Sequence, residues 1–353
     1  MSSLATDWVC LRQVGSEVMA DVPLLELRDL HVDYRMPGTQ FGQRPRHVTA
    51  VAGVDLIVAP RTTVGIVGES GCGKSTLART IVGLLKPTSG QVLLNGVDLG
   101  TASRSTLRQV RPDVQMVFQD PYASLNPWMT VRDLISEAWQ VHDGVVPRDR
   151  WDTEVDRLLE LVGLRPNQRQ LRAHQFSGGQ RQRICIARAL AVRPKMIVCD
   201  EAVSALDVSI RAQILNLLSD VQQETGVSYV FVSHDLGVVR HVADEVAVMY
   251  LGRFIEQGST DEVFGAPAHP YTQALLSAAP AVDDWQRDRA EEIILSGEVP
   301  SPLDPPSGCG FHTRCFKAQE ICGIVEPQLL DSGIGHGAAC HFAEVDARFG
   351  AIG

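Results

Sequence analysis

The chain has 353 residues, of which 44% are hydrophobic and 21% charged, and its formal charge at pH 7 is −10. That length buries a proper core and divides into two or three folding units, while the negative balance argues against a broad electrostatic grip on nucleic acid, which needs clustered Lys and Arg. No apolar run approaches the roughly 18 to 20 residues needed to cross a bilayer, so membrane association would have to run through a partner.

The first residues, "MSSLATDWVC", lack the basic and apolar regions of a secretory signal. The chain therefore reads as cytosolic, a compartment in which its eight cysteines are poor candidates for a disulfide framework. Periodic sequence begins near Met19, so residues 1–18 read as a flexible tail or as lying upstream of the true start. "PLLELRDLHVDY" (23–34) alternates as a strand does, and "TTVGIVGESG" (62–71) is a short buried strand running into a glycine-rich loop. "KSTLARTIVGLL" (74–85) follows with helical spacing. From Thr130 the pattern changes: Val131, Leu134, Ile135 and Ala138 mark one helical face, and Val155, Leu158, Leu159 and Val162 another, closed by Gly163. This predicts a helical insertion. "MIVCD" (196–200) and "VSYVFVSHD" (227–235) restore strand signals around the helix "SIRAQILNLLSDVQQE" (209–224), the alternation of a parallel sheet. Beyond about residue 262 the text breaks into "APAHP", "VPSPLDPPSG" and cysteines, predicting a small appended module held by turns and staples.

Gly68 to Ser75, "GESGCGKS", fits G-x-x-x-x-G-K-S/T between a predicted strand and a predicted helix, the context a phosphate-binding loop requires. Gly68, Glu69, Ser70, Gly71, Cys72, Gly73, Lys74, Ser75 and Thr76 form the candidate cradle. Glycines turn backbone amides inward, Lys74 reaches the β and γ phosphates, and the Ser75 hydroxyl ligates magnesium. Cys72 reads as a small filler. "MIVCDE" ends an apolar strand in two carboxylates: Asp200 is placed to hold magnesium through water, and Glu201 to activate the attacking water as general base. The competing reading is an acidic strand end in solvent. In "FSGGQRQR" (176–183), Ser177 and Gln180 have the spacing of a capping box, and Ile184, Ala187 and Leu190 follow at helical spacing. Gly178 and Gly179 would leave the first amides bare for an anion. An ordinary cap is the alternative, and it would need no pair of glycines.

The phosphate loop, "FQD" with Gln119, "SGGQ", "CDE", "SALD" with Asp207 and "SHD" with His234 occur in the order in which the ATP-binding-cassette (ABC) ATPases carry them, and the chain resembles that family from about residue 23 onward. The resemblance implies an α/β P-loop NTPase: a RecA-like core over 23–262 with an antiparallel β flank, a helical subdomain at about 121–175, and a small cysteine-containing C-terminal module at 263–345. It implies ATP and Mg2+ as cofactors, ATP hydrolysis, and a head-to-tail pair in which Ser177, Gly178, Gly179 and Gln180 meet ATP on the partner's phosphate loop. By the same resemblance His234 would contact the γ-phosphate, Gln119 would sense magnesium and water, and Asp207 would cross the pair's interface. Tyr34 either stacks on adenine or packs as strand core. Ala202 and Val203 follow Glu201 where many members next have a proline, which is expected to loosen that turn without removing a chemical group.

"PYASLNP" (121–127), "HPYTQALLSA" (269–278) and "SGEVPSPLDPPSGC" (296–309) look like the ATPases of oligopeptide and dipeptide importers. This implies an ATPase subunit powering peptide import at the cytoplasmic face of the membrane. Its partners would be two permease subunits, a related second ATPase and an extracytoplasmic substrate-binding protein, with no nucleic acid. Importers of nickel or another small solute belong to the same group. ABC ATPases that act on nucleic acid or ribosomes are the more distant alternative; they usually show long coiled-coil insertions, paired cassettes or basic surfaces. The segment after Gln119 is expected to help receive a permease helix, with Trp128 either a docking aromatic or packed inside the helical lobe.

Cys309, Cys315, Cys322 and Cys340 are separated by five, six and seventeen residues, without the C-x2-C pairs of common zinc sites. A short Pro- and Gly-rich module buries little apolar surface and needs a staple, which thiolates can supply by holding a metal centre. Four cysteines are the ligand set of a 4Fe–4S cluster, and the resemblance to peptide-importer tails associates such a cluster with this segment. Zinc and unliganded thiols remain open. Cys10, Cys72, Cys185 and Cys199 read as loop or core residues.

Overall fold

A computed structural model describes residues 22–36, 46–142, 144–278, 292–331, 333 and 335–346. Strands β1 (Leu25–Met36), β2 (Arg46–Val58) and β3 (Thr63–Val67) come first, then helix α1 (Lys74–Ile81), β4 (Ser89–Leu94), β5 (Val97–Asp98), α2 (Arg104–Val110) and β6 (Val114–Val117). The middle of the chain is helical, with α3 (Pro121–Ser124), α4 (Val131–Val141), α5 (Trp151–Leu161) and α6 (Gly178–Leu190). Strands and helices then alternate through β7 (Met196–Asp200), α7 (Val208–Thr225), β8 (Ser228–Ser233), α8 (Leu236–Val242), β9 (Glu245–Tyr250) and β10 (Arg253–Ser259). Helices α9 (Thr260–Gly265) and α10 (Pro270–Ala278) and the short strands β11 (Leu330–Asp331) and β12 (Gly337–Ala338) complete the described elements. No helix among the described residues is long and apolar enough to cross a membrane.

Two elements depart from their predicted form for local reasons. In β1 the alternation changes phase at Asp29, whose φ of +41° lets Leu25 and Leu27 before it and Leu30 and Val32 after it all be buried. Helix α1 stops at Ile81, sooner than the spacing through Leu85 predicts, because Gly83 turns to φ +70°, a left-handed conformation that ends a helix.

The described residues fall into two compact units. The first draws on 1–26, 57–62 and 93–230 and the second on 27–56, 63–92 and 231–353, so the boundary cuts β1, β2, β4 and β8.

In the first unit β6 and β7 pair in parallel, Val114 opposite Met196 and Val117 opposite Cys199. Every residue of β7 is buried, as a parallel strand covered on both faces requires. The helical insertion forms around α4 and α5. Thr130 caps α4 by accepting from the Asp133 amide at 3.2 Å, and Val131, Leu134 and Ile135 are buried on its inner face. Ala138, expected on that face, is only half-buried. Its neighbour Trp139 takes the buried place instead: the indole donates to the Ala191 carbonyl at 2.8 Å, and its ring lies 5.7 Å from that of Trp151. In α5, Val155, Leu158 and Leu159 are buried, and Gly163 at φ +71° ends the run.

In the second unit a sheet runs in the order β11-β12-β10-β9-β3. β3 and β9 are parallel, Val64 opposite Glu245, whereas β10 and β12 are added antiparallel, Glu256 lying opposite Ala338. The last strands thus extend the sheet from the far end of the chain. Glu256 is fully buried; its carboxylate accepts from the Ala268 amide at 2.6 Å, the His269 amide at 3.1 Å and His336 Nε2 at 2.7 Å. A buried carboxylate with three donors is compensated, and removing its His partner would leave a charge in the interior. Burial by itself would lower the His336 pKa, but the Glu256 carboxylate reverses this and raises it. The ion pair is therefore strongest below that raised pKa and fades as pH climbs through it. Phe311 anchors the tail beside Tyr250 and Tyr271, with ring centroids at 5.3 and 5.4 Å and all three side chains buried.

Candidate functional site

The second unit holds the phosphate loop. β3, buried throughout, delivers the chain to Gly68. Gly68 at φ +153° and Gly73 at φ +110° cannot be replaced: a Cβ would lie 2.2 Å from the Met249 carbonyl oxygen in the first case and 2.1 Å from that of Ala50 in the second. A Cβ on Gly71 would meet nothing within 4 Å, which leaves the middle of the loop open. Helix α1 begins at Lys74 with no side-chain cap and no acidic residue in its first turn, so its leading amides suit an anion. Lys74 is buried, and its Nζ donates to the carbonyls of Gly68 at 2.7 Å and Glu69 at 2.9 Å. Ser75 and Thr76 follow, half-buried, and Ser70 is exposed.

Cys72 is buried with Sγ 3.7 Å from Lys74 Nζ, and burial raises its pKa, which keeps the thiol neutral. Tyr34 is not strand core; it is exposed, with its hydroxyl 3.3 Å from Thr76 Oγ1. His234 is exposed at the end of β8 rather than packed there. The next residue, Asp235, caps α8 by accepting from the Val238 amide at 3.2 Å.

The first unit holds Asp200 and Glu201. Asp200 is buried at the end of β7, so this is not an acidic strand end in solvent. Glu201 follows at φ +50°, half-buried, and the structure brings it together with Gln119, whose Nε2 donates to Glu201 Oε2 at 2.9 Å. The turn closes without a proline. The Ser204 amide and hydroxyl close it on the Glu201 carbonyl at 3.1 and 2.9 Å, over buried Ala202 and Val203. Asp207 is the N-cap residue of α7, exposed, and makes no side-chain capping bond.

Ser177 starts α6 as its spacing predicts: the Gln180 side chain accepts from the Ser177 amide at 3.1 Å, and the Ser177 hydroxyl faces the Gln180 amide at 3.4 Å. One of the two glycines, however, has a packing cause. A Cβ on Gly179 would sit 2.6 Å from Ile210 Cγ2, so α6 approaches α7 too closely for any side chain there. Gly178 meets no such obstacle, its nearest neighbour being the Tyr122 hydroxyl at 3.7 Å. Arg181 ties this helix start to the segment after Gln119, donating to the Phe176 carbonyl at 2.9 Å and the His174 carbonyl at 3.0 Å while stacking 4.2 Å above the Tyr122 ring. Trp128 does not pack inside the lobe; it is 72% exposed, touching His174 edge-on at 5.6 Å.

The cysteines divide into two kinds. Burial pushes Cys185 and Cys199 up to about 12, which makes them inert core thiols; Cys10 lies outside the described residues. Cys309, Cys315, Cys322 and Cys340 are unpaired by disulfides and gather in the tail, where the Cys309 amide donates to the Cys322 carbonyl at 2.7 Å. Burial raises the pKa of Cys309, Cys315 and Cys340, and the neighbouring thiols raise it further, each of the four lying within electrostatic reach of the other three. Among the described residues no group of three or more His, Cys, Asp or Glu is arranged to hold a metal ion.

Four residues that bear on this region were not legible as functional in the sequence: Glu256, Tyr271, Arg314 and His336. Tyr271 stands inside "HPYTQALLSA", a stretch that carried a resemblance but no chemistry. Nothing local connects Arg314 with its partner Glu69, 245 residues earlier.

A family profile described as "ABC transporter" matches residues 51–204, and one described as "Oligopeptide/dipeptide transporter, C-terminal region" matches 255–322. The chain is 48% identical to the oligopeptide transport ATP-binding protein AppF of Bacillus subtilis, over 90% of this chain and 97% of that protein. It is likewise 48% identical to OppF of Salmonella typhimurium, over 90% of this chain and 95% of that one. Among solved structures, cbiO1 from Clostridium perfringens, part of the ABC transporter complex cbiONQ, aligns with a TM-score of 0.59 at 30% identity, covering 69% of this chain and 91% of that one. The ATP-binding cassette MJ0796, solved as a dimer bound to ADP and Pi, aligns with a TM-score of 0.58 at 27% identity, covering 67% and 98%.

Proposed function

The chain belongs to the ATP-binding subunits of ABC transporters, in their oligopeptide and dipeptide group, and on that premise we propose that it hydrolyses ATP to drive peptide import through a membrane transporter. The observation that carries the ATPase reading is the phosphate loop itself: irreplaceable glycines, the buried Lys74 and an uncapped helix start behind it. The peptide follows from the names of the relatives. Bound MgATP would supply the γ-phosphate for transfer to water. Gly68 to Thr76 would hold its phosphates, Ser75 the magnesium, with Gln119 and Asp200 on the water around it, and Tyr34 the adenine. Glu201 takes the proton of the attacking water, oriented by its bond from Gln119, and His234 steadies the γ-phosphate. Ser177, Gly178, Gly179, Gln180 and Asp207 serve a head-to-tail partner, a related second ATPase.

The subunit works peripherally, at the cytoplasmic face of the membrane, on two permease subunits fed by an extracytoplasmic binding protein. The exposed Trp128 and Tyr122 support a docking role for the segment after Gln119. Co-expressed with its permeases and reconstituted in proteoliposomes, the complex is expected to hydrolyse ATP faster when the binding protein carries peptide, and Trp128→Cys to crosslink to a permease. Stimulation by nickel and not by peptide would move the reading to a small-solute importer, and copurifying nucleic acid or ribosomes without permeases would replace it.

The four tail thiols are read as ligands of a 4Fe–4S cluster that orders the segment. A tetrahedral zinc site, with bonds of ~2.3 Å, would draw its sulfurs into a single-ion arrangement, whereas a four-iron cluster spreads them over separate irons. Burial and mutual repulsion, which raise Cys309, Cys315 and Cys340, are the penalties that a bound cationic centre offsets. Anaerobic purification is expected to give brown protein with iron and acid-labile sulfide near four per chain, and Cys315→Ser to lower both. Colourless, folded protein would refute the cluster.

A further inference from the structure

Glu69, the second residue of the phosphate loop, is held at three points. Its carbonyl accepts from Lys74 Nζ at 2.9 Å, its amide donates to the Tyr271 hydroxyl at 2.9 Å, and its carboxylate receives both terminal nitrogens of Arg314, at 2.8 and 3.1 Å. Only the first of these holds comes from the loop; the other two come from the C-terminal part of the chain. The Arg314 side chain is 8% exposed and that of Glu69 26%, so the fork is largely shielded from water. Tyr271 is fully buried, with Tyr250 tilted against its ring at 4.7 Å and Phe311 edge-on at 5.4 Å, a packing that holds its hydroxyl at the loop.

A carboxylate beside a phosphate cradle repels the ligand it serves unless a cation cancels it. Arg314 supplies that cation in the one geometry, a planar fork on a carboxylate, that fixes orientation as well as charge. The structure assigns Arg314 and Tyr271 as positioning residues of the phosphate loop, through which the C-terminal segment sets the loop's shape and neutralises Glu69 for the binding of a nucleoside triphosphate. Arg314 stands between Cys309 and Cys315 in the chain, so the guanidinium and two of the tail thiols belong to one short segment. This inference rests on the reading of the loop as an ATP site.

The test is a titration of full-length protein with MgATP by calorimetry. Wild type is expected to bind; if it does not, the ATP reading itself fails and the positioning role falls with it. Given wild-type binding, Arg314→Ala should weaken affinity on the order of tenfold, within the roughly 5- to 150-fold by which coupled sites ordinarily change one another's affinity. Adding Glu69→Gln to that variant should recover much of the loss, because the charge to be neutralised is gone. Arg314→Lys should fall between, keeping the charge without the fork. Wild-type affinity in Arg314→Ala, or a double variant no better than the single, overturns the proposal. Should Arg314→Ala fail to fold, Tyr271→Phe keeps the ring packing and removes only the acceptor for the Glu69 amide. Weaker MgATP binding with an unchanged melting temperature then upholds the proposal, and unchanged binding defeats it.

Discussion

Glu201→Gln is expected to leave MgATP binding intact while slowing hydrolysis by about 100- to 10,000-fold, the range a positioned general base contributes. The substitution keeps the shape of the side chain and an oxygen that can accept from Gln119 Nε2, now 2.9 Å from Glu201 Oε2. The backbone needs no change, because the Glu201 turn is closed through its own carbonyl by Ser204. What disappears is the basic oxygen that takes a proton as water attacks, worth about 3 to 5 kcal/mol of barrier over that range. Single-turnover hydrolysis alongside a nucleotide titration separates the two effects. Turnover within a few-fold of wild type would remove Glu201 from the role of base, and a parallel loss of binding would show that the turn, not the proton transfer, had been damaged.

Lys74→Ala should act at the other step. The ammonium bridges the Gly68 and Glu69 carbonyls at 2.7 and 2.9 Å from a buried position, so its loss removes a cation from the cradle and leaves two loop acceptors without their donor. Hydrogen bonds to charged groups are worth about 1.5–3 kcal/mol, which corresponds to roughly 10- to 150-fold weaker MgATP binding. Calorimetry and steady-state ATPase assays should fall together, in contrast to Glu201→Gln. Unchanged affinity would mean that Lys74 braces the empty loop and does not meet phosphate.

Much of this molecule is written in windows of a few residues. The G-x-x-x-x-G-K-S spacing between a strand and a helix, the Ser177 to Gln180 capping box, the buried runs of β3, β7 and β8, and the stop at Gly163 each depend on neighbours three or four positions away, and local pattern is enough to find them. Resemblance to a family added roles for Gln119, Asp207 and His234 that spacing alone does not carry. The tertiary structure decided the rest. Whether Trp128 was core or surface and why Gly179 has no side chain depend on what packing brings near those residues: His174 and Ile210. The same holds for the tail, whose composition promised only turns and thiols. Glu256 waits for His336 and Glu69 for Arg314, 80 and 245 residues away, and each carboxylate is tolerable in its place only because a partner satisfies it there. Electrostatic complementarity of that kind is a property of positions in space, and chain spacing holds no record of it.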